Sequence, residues 1–235
     1  MSLLGALLLS AAASTHVPFV GCAADGQVGL LAAPPARRMP AVPASAASAL
    51  AWYVSEHDAV LAPRGWRCFE TYGSNGGTLV VAPQPLSFDL IQGRGVSFRG
   101  PIVLSGTSFG GTSGRWSVAA AIGRYFPHYR SFIRDIRNMD WEISAQEPPA
   151  PTGPYPGDHI VSRTQTEIRL ITPAGRLGAG TNFRLAPNRD PVETLIILHP
   201  EEDMDVSSFT VRLPRAQARL RAVILAEARS RATRH

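Results

Sequence analysis

Short runs of alternating apolar and polar residues occupy much of the chain from residue 66 onward. Alternation bounded by glycine and proline is typical of β-strands with one buried face. We therefore predict strands at residues 66–72, 78–82, 86–91, 96–104, 160–163, 167–172, 182–185, 194–199 and 209–213. The first two runs are joined by residues 73–77, which contain an Asn-Gly pair and predict a β-hairpin.

Apolar residues at helical spacing predict three helices, at residues 114–126, 128–139 and 215–231. Ser113 is expected to cap the first helix, because a serine oxygen accepts hydrogen bonds from the free amides of a helix start. Pro127 separates the first helix from the second. Strands in runs, with helices in the middle and at the end, predict an α+β fold. We expect a mainly antiparallel sheet, a mid-chain helix pair and a C-terminal helix.

The beginning of the chain lacks this periodicity. Residues 1–13 form a short apolar run that ends in small residues, and they predict a signal peptide. The run is shorter than the about 20 residues that a membrane-spanning helix needs, so we expect no transmembrane span in the mature chain. Because the usual basic residues are missing before the run, a translation start upstream of Met1 stays open.

The remaining chain divides in two by composition. Residues 14–48 are expected to form an N-terminal arm, since residues 30–48 are rich in Pro and Ala without periodicity. Residues 49–235 are expected to form a single globular α+β domain. The length of 235 residues suffices for one well-packed core.

Arginine supplies all of the positively charged side chains of the chain, since the sequence contains no lysine. All 23 basic residues are Arg, and the net charge is +5. Such a replacement of Lys by Arg is typical of a GC-rich genome, so it does not indicate phosphate binding by itself. We expect no nucleic-acid partner.

Export would place the two cysteines of the chain, Cys22 and Cys68, in an oxidising compartment. An even number of cysteines in an oxidising compartment predicts a disulfide, which would attach the arm to the domain. Two alternatives stay open: residues 19–22 faintly resemble a lipoprotein box, and the cysteines could be separate thiols. Two cysteines provide neither a C-x-x-C redox pair here nor a four-cysteine zinc site.

Residues 106–110 match the G-x-S-x-G pattern of a serine hydrolase, with Ser108 as the candidate nucleophile. An apolar run precedes it, and Asp190 and His199 follow in the acid-then-histidine order of α/β-hydrolases. Against this, glycines fill the positions where the helix after the serine should begin, and the strand–helix alternation of that fold is missing. Catalysis by Ser108, His199 and Asp190 is therefore the alternative hypothesis.

Two further groups of charged residues in the sequence are candidates for binding sites. Arg130, Arg134 and Arg137 form a stripe on a predicted helix, and they are candidates for binding an anionic lipid, polysaccharide or protein surface. Residues 201–205 place four carboxylates beside His199, but they lack the ligand spacing of a calcium loop. We therefore predict no metal and no cofactor.

Three segments resemble a group of exported proteins of GC-rich bacteria that have no assigned activity. They are LAPRGWRCFETYGSNGG at residues 61–77, GGTSGR at 110–115 and VRLP at 211–214. The similarity covers roughly residues 20–215. It implies export and a cysteine-bearing N-terminal arm, and it assigns no catalytic role.

Together these observations predict an exported protein of the cell envelope, periplasmic or extracellular. The leading hypothesis is a binding or structural domain without catalysis. The sequence leaves its partner unknown, and an anionic envelope component is one candidate. The alternative is a small secreted serine hydrolase.

Overall fold

The computed structural model describes residues 13–93, 97–139, 145–181, 184–200 and 203–234. Its strands are β1 (Ser14–Thr15), β2 (Phe19–Gly21), β3 (Ala24–Gly26), β4 (Val42–Pro43), β5 (Leu50–Val54), β6 (Ala59–Pro63), β7 (Arg67–Gly73), β8 (Gly76–Ala82), β9 (Ile102–Ser108), β10 (His159–Arg163), β11 (Glu167–Thr172), β12 (Val192–His199) and β13 (Asp205–Arg212). Its α-helices are α1 (Ala44–Ala47), α2 (Phe88–Gln92), α3 (Arg115–Tyr125), α4 (Arg130–Met139) and α5 (Leu220–Ala232).

An eight-stranded sheet forms the centre, in the order β10-β11-β12-β13-β9-β8-β7-β3. Neighbouring strands are antiparallel except β3 and β7, which are parallel. A second sheet has the order β2-β5-β6, and β1 pairs with β4. The fold is thus α+β with mostly antiparallel strands and a C-terminal helix, as the sequence predicted.

The eight-stranded sheet is covered on both faces, because alternate residues of a strand point to opposite sides. On one face, Leu79, Val103 and Phe209 belong to a core shared with β5, β6 and α5. We call the other the helical face, since α2 and α3 pack on it. The α3 core includes Ile168 and Leu198, and the α2 core includes Val80 and Ile102.

The arm lies against the body of the protein. Strand β2 runs parallel to β5, and β3 runs parallel to β7. Cys22, in the short link from β2 to β3, is fully buried. The predicted disulfide is confirmed: Cys22 and Cys68 are bonded, with their Cα atoms 5.3 Å apart. Because the Cys22 sulfur is part of the disulfide, Cys22 has no free thiol that a lipid could modify in this structure. Of the predicted signal peptide, residues 1–12 lie outside the described residues.

Several predicted elements differ from the observed ones. Residues 86–91 were predicted as a strand, but Phe88–Gln92 is helix α2, capped by the Ser87 hydroxyl, which accepts from the Leu90 amide at 3.3 Å. A short apolar run fits either structure, and the cap decides for the helix. Of the run at 96–104 only the end is regular strand, since β9 begins at Ile102. Strands β5 and β6 were not predicted.

The region around 182–185 and the start of α3 also differ. Leu185 forms one isolated parallel bridge with Phe98, while residues 182–183 lie outside the described part of the chain. The prediction that Ser113 caps α3 is wrong: the helix follows Gly114 without a side-chain cap. The Thr112 hydroxyl instead accepts from the Gly114 amide at 3.2 Å. Within the described residues, none of the helices is long and apolar enough to cross a membrane.

Candidate functional site

A cavity of about 470 Å³ lies between α3 and the helical face of the sheet. It separates the core under α3 from the core under α2. Side-chain hydroxyls are its main polar groups, so we call it the hydroxyl cavity. They belong to Thr71, Thr78, Thr107, Ser108, Ser117, Thr194, Ser208 and Thr210, and to the phenols of Tyr72 and Tyr125.

Strand pairing builds the floor of the hydroxyl cavity. Residues paired across neighbouring strands share a face. One row runs Thr78, Gly106, Ser208 and Ile196 across β8, β9, β13 and β12. The next row runs Val80, Leu104, Thr210 and Thr194 across the same strands. Small hydroxyl-bearing and aliphatic side chains are therefore interleaved on one surface.

The hydroxyls of the floor contact one another and the backbone. Thr194 and Thr210 are buried, with their hydroxyl oxygens 3.4 Å apart. The Ser208 hydroxyl donates to the Gly106 carbonyl at 3.4 Å. A hydroxyl carries one donor and two acceptor lone pairs, so these contacts leave hydrogen-bonding capacity that a ligand can use.

Helix α3 forms the roof with Ser117, Ala120, Ala121 and Arg124. Their spacing of three, four and seven residues places them on one helix face. The first three side chains are small, and they leave space above the sheet. Arg124 is the one charged residue among the described residues that line the cavity.

Two groups at the end of α3 set the electrostatics of the cavity. The Arg124 guanidinium lies 3.8 Å from the centre of the Tyr155 ring and donates to the Gly153 carbonyl at 3.3 Å. Burial raises the pKa of Tyr125 well above its usual range, and the nearby Asp158 carboxylate raises it further. Tyr125 therefore keeps its phenolic proton at neutral pH.

Ser108 belongs to the wall of the hydroxyl cavity, but the structure does not place His199 beside it. Ser108 pairs with Val206, which pairs with Leu198, so its side chain is on the helical face. His199 follows Leu198 and pairs with Asp205, which puts it on the opposite face. There the His199 Nε2 atom lies 2.9 Å from the Ser207 hydroxyl.

Asp190, the third member of the hypothetical triad, lies near the opposite end of the same strand. It precedes β12, whose eight residues end at His199. At about 3.3 Å per residue, the strand from Val192 to His199 alone spans roughly 23 Å. The backbone N–H of Asp190 donates to the Asn188 side-chain oxygen at 2.8 Å. The three residues of the hydrolase hypothesis are thus not brought together.

The glycines around Ser108 allow close backbone packing. A Cβ atom at Gly110 would overlap the Asp203 carbonyl, and one at Gly114 would overlap the Asn75 carbonyl. The Gly110 amide also donates to the Asp205 carboxylate at 2.9 Å. Close packing against the turn at Asp203 therefore explains the second glycine of the G-x-S-x-G pattern, and close packing against the turn at Asn75 explains the later Gly114.

We expect Gly110→Ala to lower the free energy of unfolding by about 1 to 3 kcal/mol, because the added methyl group forces the backbone at Asp203 to shift. The matched control is Gly100→Ala, where a Cβ atom would meet nothing within 4 Å. Urea denaturation of both variants measures the difference. Equal stability of the two variants would contradict this account of the motif.

The arginine stripe lies on α4, as the sequence predicted, and two of its members are engaged within the protein. Arg134 forms an ion pair with Asp135 at 3.2 Å. Arg137 donates to the Pro148 carbonyl at 2.8 Å and lies 5.9 Å from the centre of the Trp116 ring. Arg130 is exposed. Anion binding by the stripe of Arg130, Arg134 and Arg137 stays a prediction.

The carboxylate cluster beside His199 falls partly outside the described chain, since residues 201–202 are not described. Across the described residues, no group of three or more His, Cys, Asp or Glu side chains is placed to hold a metal ion.

Among the hydroxyl-bearing residues of the hydroxyl cavity, the sequence alone pointed only to Ser108, and it did so as a candidate nucleophile and not as a binding residue. A weak signal for the others was present: Ser and Thr recur in residues 105–108 and 207–210, which pair as β9 and β13. Comparisons with protein-family models, with curated proteins and with solved structures found no match.

Proposed function

We propose that the protein is an exported cell-envelope protein, periplasmic or extracellular, that binds a small polyhydroxylated ligand of saccharide size in the hydroxyl cavity. The observation that carries the proposal is the floor of serine and threonine hydroxyls beneath α3. The cavity volume of about 470 Å³ falls within the range of small-molecule binding sites.

The chemistry of the floor matches that of a sugar. Each hydroxyl of the cavity can donate and accept, as each sugar hydroxyl does, so the two sets can exchange hydrogen bonds in either direction. Leu104, Ile196 and Val206 supply apolar surface between these hydroxyls, which suits the C–H faces of a sugar ring. Individual hydrogen bonds of this kind contribute about 1 kcal/mol each, so affinity requires several at once.

Arg124 adds a preference of charge. It is the charged residue among the described residues of the cavity lining, and its described contacts are a carbonyl and an aromatic ring. A ligand carboxylate would leave both contacts in place and would accept a further, charge-assisted hydrogen bond from the Arg124 guanidinium. We therefore expect a uronic acid to bind more tightly than the matching neutral sugar, in keeping with an anionic envelope component as the partner.

Catalysis is not part of the proposal. The described residues that line the cavity include no histidine and no carboxylate that could act as a general base for Ser108. Export is supported by the Cys22–Cys68 disulfide, because such bonds persist in oxidising compartments. The signal-like leader and the resemblance to exported proteins of GC-rich bacteria point the same way.

The double variant Thr194→Val with Thr210→Val tests the binding proposal. It removes two floor hydroxyls and keeps the shape of the cavity, so we expect at least a tenfold loss of saccharide affinity, which corresponds to about 1.4 kcal/mol. Replacing both partners of a hydrogen bond by groups of the same shape is nearly neutral for folding. Isothermal titration calorimetry with neutral mono- and disaccharides and with uronic acids measures the affinities.

Thr166→Val is the matched control, since Thr166 is in the β10–β11 turn and does not line the cavity. It should bind saccharide as the wild type does. Absence of binding by every member of the panel would overturn the proposal, and so would equal affinity of the double variant and the wild type.

A further inference from the structure

Four arginines surround a groove at the end of the eight-stranded sheet where β9 begins and β13 ends. The groove has a volume of about 650 Å³, and its lining includes Arg99, Arg189, Arg215 and Arg221. Three chain segments contribute: the turn before β9, the turn before β12 and the segment that leads from β13 into the first turn of α5. We call this feature the arginine groove.

The charge of the arginine groove is strongly positive. Asp190 is the one carboxylate among the described lining residues. Arg221 lies 3.9 Å from Glu193, but that carboxylate also forms an ion pair with Arg169. Arg99, Arg189 and Arg215 are exposed, and none of them forms an ion pair with another described residue. Three guanidinium groups are thus available to a ligand.

A buried arginine beneath the groove holds two of the contributing segments in place. Arg212 is 0 % exposed. Its guanidinium donates to the Phe98 carbonyl at 2.7 Å, to the Gly100 carbonyl at 2.9 Å and to the Ala186 carbonyl at 2.7 Å. Arg99 lies between two of these anchored residues, so its backbone position is fixed.

A direct hydrogen bond joins the same two segments. The Asn188 side-chain nitrogen donates to the Arg99 carbonyl at 2.6 Å. The Asn188 side-chain oxygen accepts from the Asp190 amide at 2.8 Å, which closes the turn that carries Arg189. Arg99 and Arg189 are therefore presented together by a rigid support, and less binding energy is lost in ordering them.

We propose that the arginine groove binds a phosphate group. Guanidinium groups match phosphate oxygens in geometry and can donate two parallel hydrogen bonds to them. A phosphate monoester carries close to two negative charges at neutral pH, so it gains more than a monoanionic carboxylate from several cations around one groove. A phosphodiester headgroup carries one charge and gains mainly from the matching geometry. The phosphate can belong to a free phosphate ester or to a phospholipid headgroup, and the experiment below distinguishes these sources.

Inorganic pyrophosphate, titrated calorimetrically into the full chain at low salt, is the first probe. The double variant Arg99→Gln with Arg189→Gln should bind it at least tenfold more weakly. The wild-type affinity should also fall as salt rises, because exposed charges are screened. The matched control is Arg37→Gln with Arg234→Gln, which removes the same charge from two exposed arginines that do not line the groove and should keep the wild-type affinity.

Sedimentation with vesicles is the second probe. Binding to phosphatidylglycerol vesicles but not to phosphatidylcholine vesicles, lost in the groove variant, identifies a phospholipid headgroup as the source. Pyrophosphate binding without vesicle binding identifies a free phosphate ester. The proposal is overturned if neither probe binds, or if the Arg37/Arg234 control variant loses as much affinity as the groove variant.

Discussion

Replacement of Arg212 by leucine is expected to lower the free energy of unfolding by about 3 to 5 kcal/mol, in the range of breaking a buried charged interaction. Arg212 is fully buried and donates hydrogen bonds to three backbone carbonyls. Burial lowers its pKa, and the nearby Asp190 opposes this shift. Leucine would leave the Gly100 and Ala186 carbonyls without the arginine donor, while the Phe98 carbonyl would still accept from the Ala186 amide at 3.1 Å. Each unsatisfied buried group costs about 1 to 3 kcal/mol.

Urea denaturation, followed by circular dichroism, measures this loss. The control is Arg176→Leu, which removes an exposed arginine from a surface turn and should change stability by at most about 0.5 kcal/mol. Arg212→Lys should recover only part of the loss, because a single ammonium group does not reproduce the planar guanidinium fork. A loss below about 1 kcal/mol in Arg212→Leu would mean that water replaces the guanidinium.

Removal of the disulfide should have an effect of similar size. Cys22 and Cys68 are 46 positions apart, and opening a loop of that length costs about 4 kcal/mol in the chain-entropy account. We expect the double variant Cys22→Ser with Cys68→Ser to lose about this much stability. We expect the loss to be largest in the arm, since β2 and β3 have only three residues each.

Chemical denaturation of the oxidised wild type and the double serine variant tests this expectation. A reducing agent provides the control: it should lower the stability of the wild type toward that of the variant and leave the variant unchanged. Hydrogen exchange should then be fastest in residues 14–48. Identical denaturation midpoints for the two proteins would show that the disulfide does not contribute to stability.

Local chemistry made part of the fold predictable. The Asn-Gly pair between two alternating runs predicted the β7–β8 hairpin, and the strand at Glu167–Thr172 was predicted with its observed bounds. The helices α3 and α4 followed from helical spacing and from Pro127 between them. Residues 86–91, which include most of helix α2, were predicted as a strand, because a six-residue segment with four apolar residues fits either structure until a cap is recognised.

The candidate site was much less predictable. The glycines around Ser108 made it resemble a hydrolase nucleophile. In the structure, Gly110 packs closely against Asp203 and Gly114 packs closely against Asn75. The other cavity residues carry no motif, since a serine or threonine in a strand is an ordinary residue until its neighbours are known. The four arginines of the groove are likewise spread over residues 99–221.

The sequence by itself determined which segments alternate, where one hairpin turns and which cysteines were available to pair. Tertiary structure decided which strands lie side by side, and hence which side chains share a face. Thr78, Gly106, Ser208 and Ile196 form one row of the cavity floor although they are far apart in the chain. A shift of one residue in any of these pairings would turn that strand's hydroxyls to the other face. The cavity therefore depends on long-range register, which no local pattern specifies.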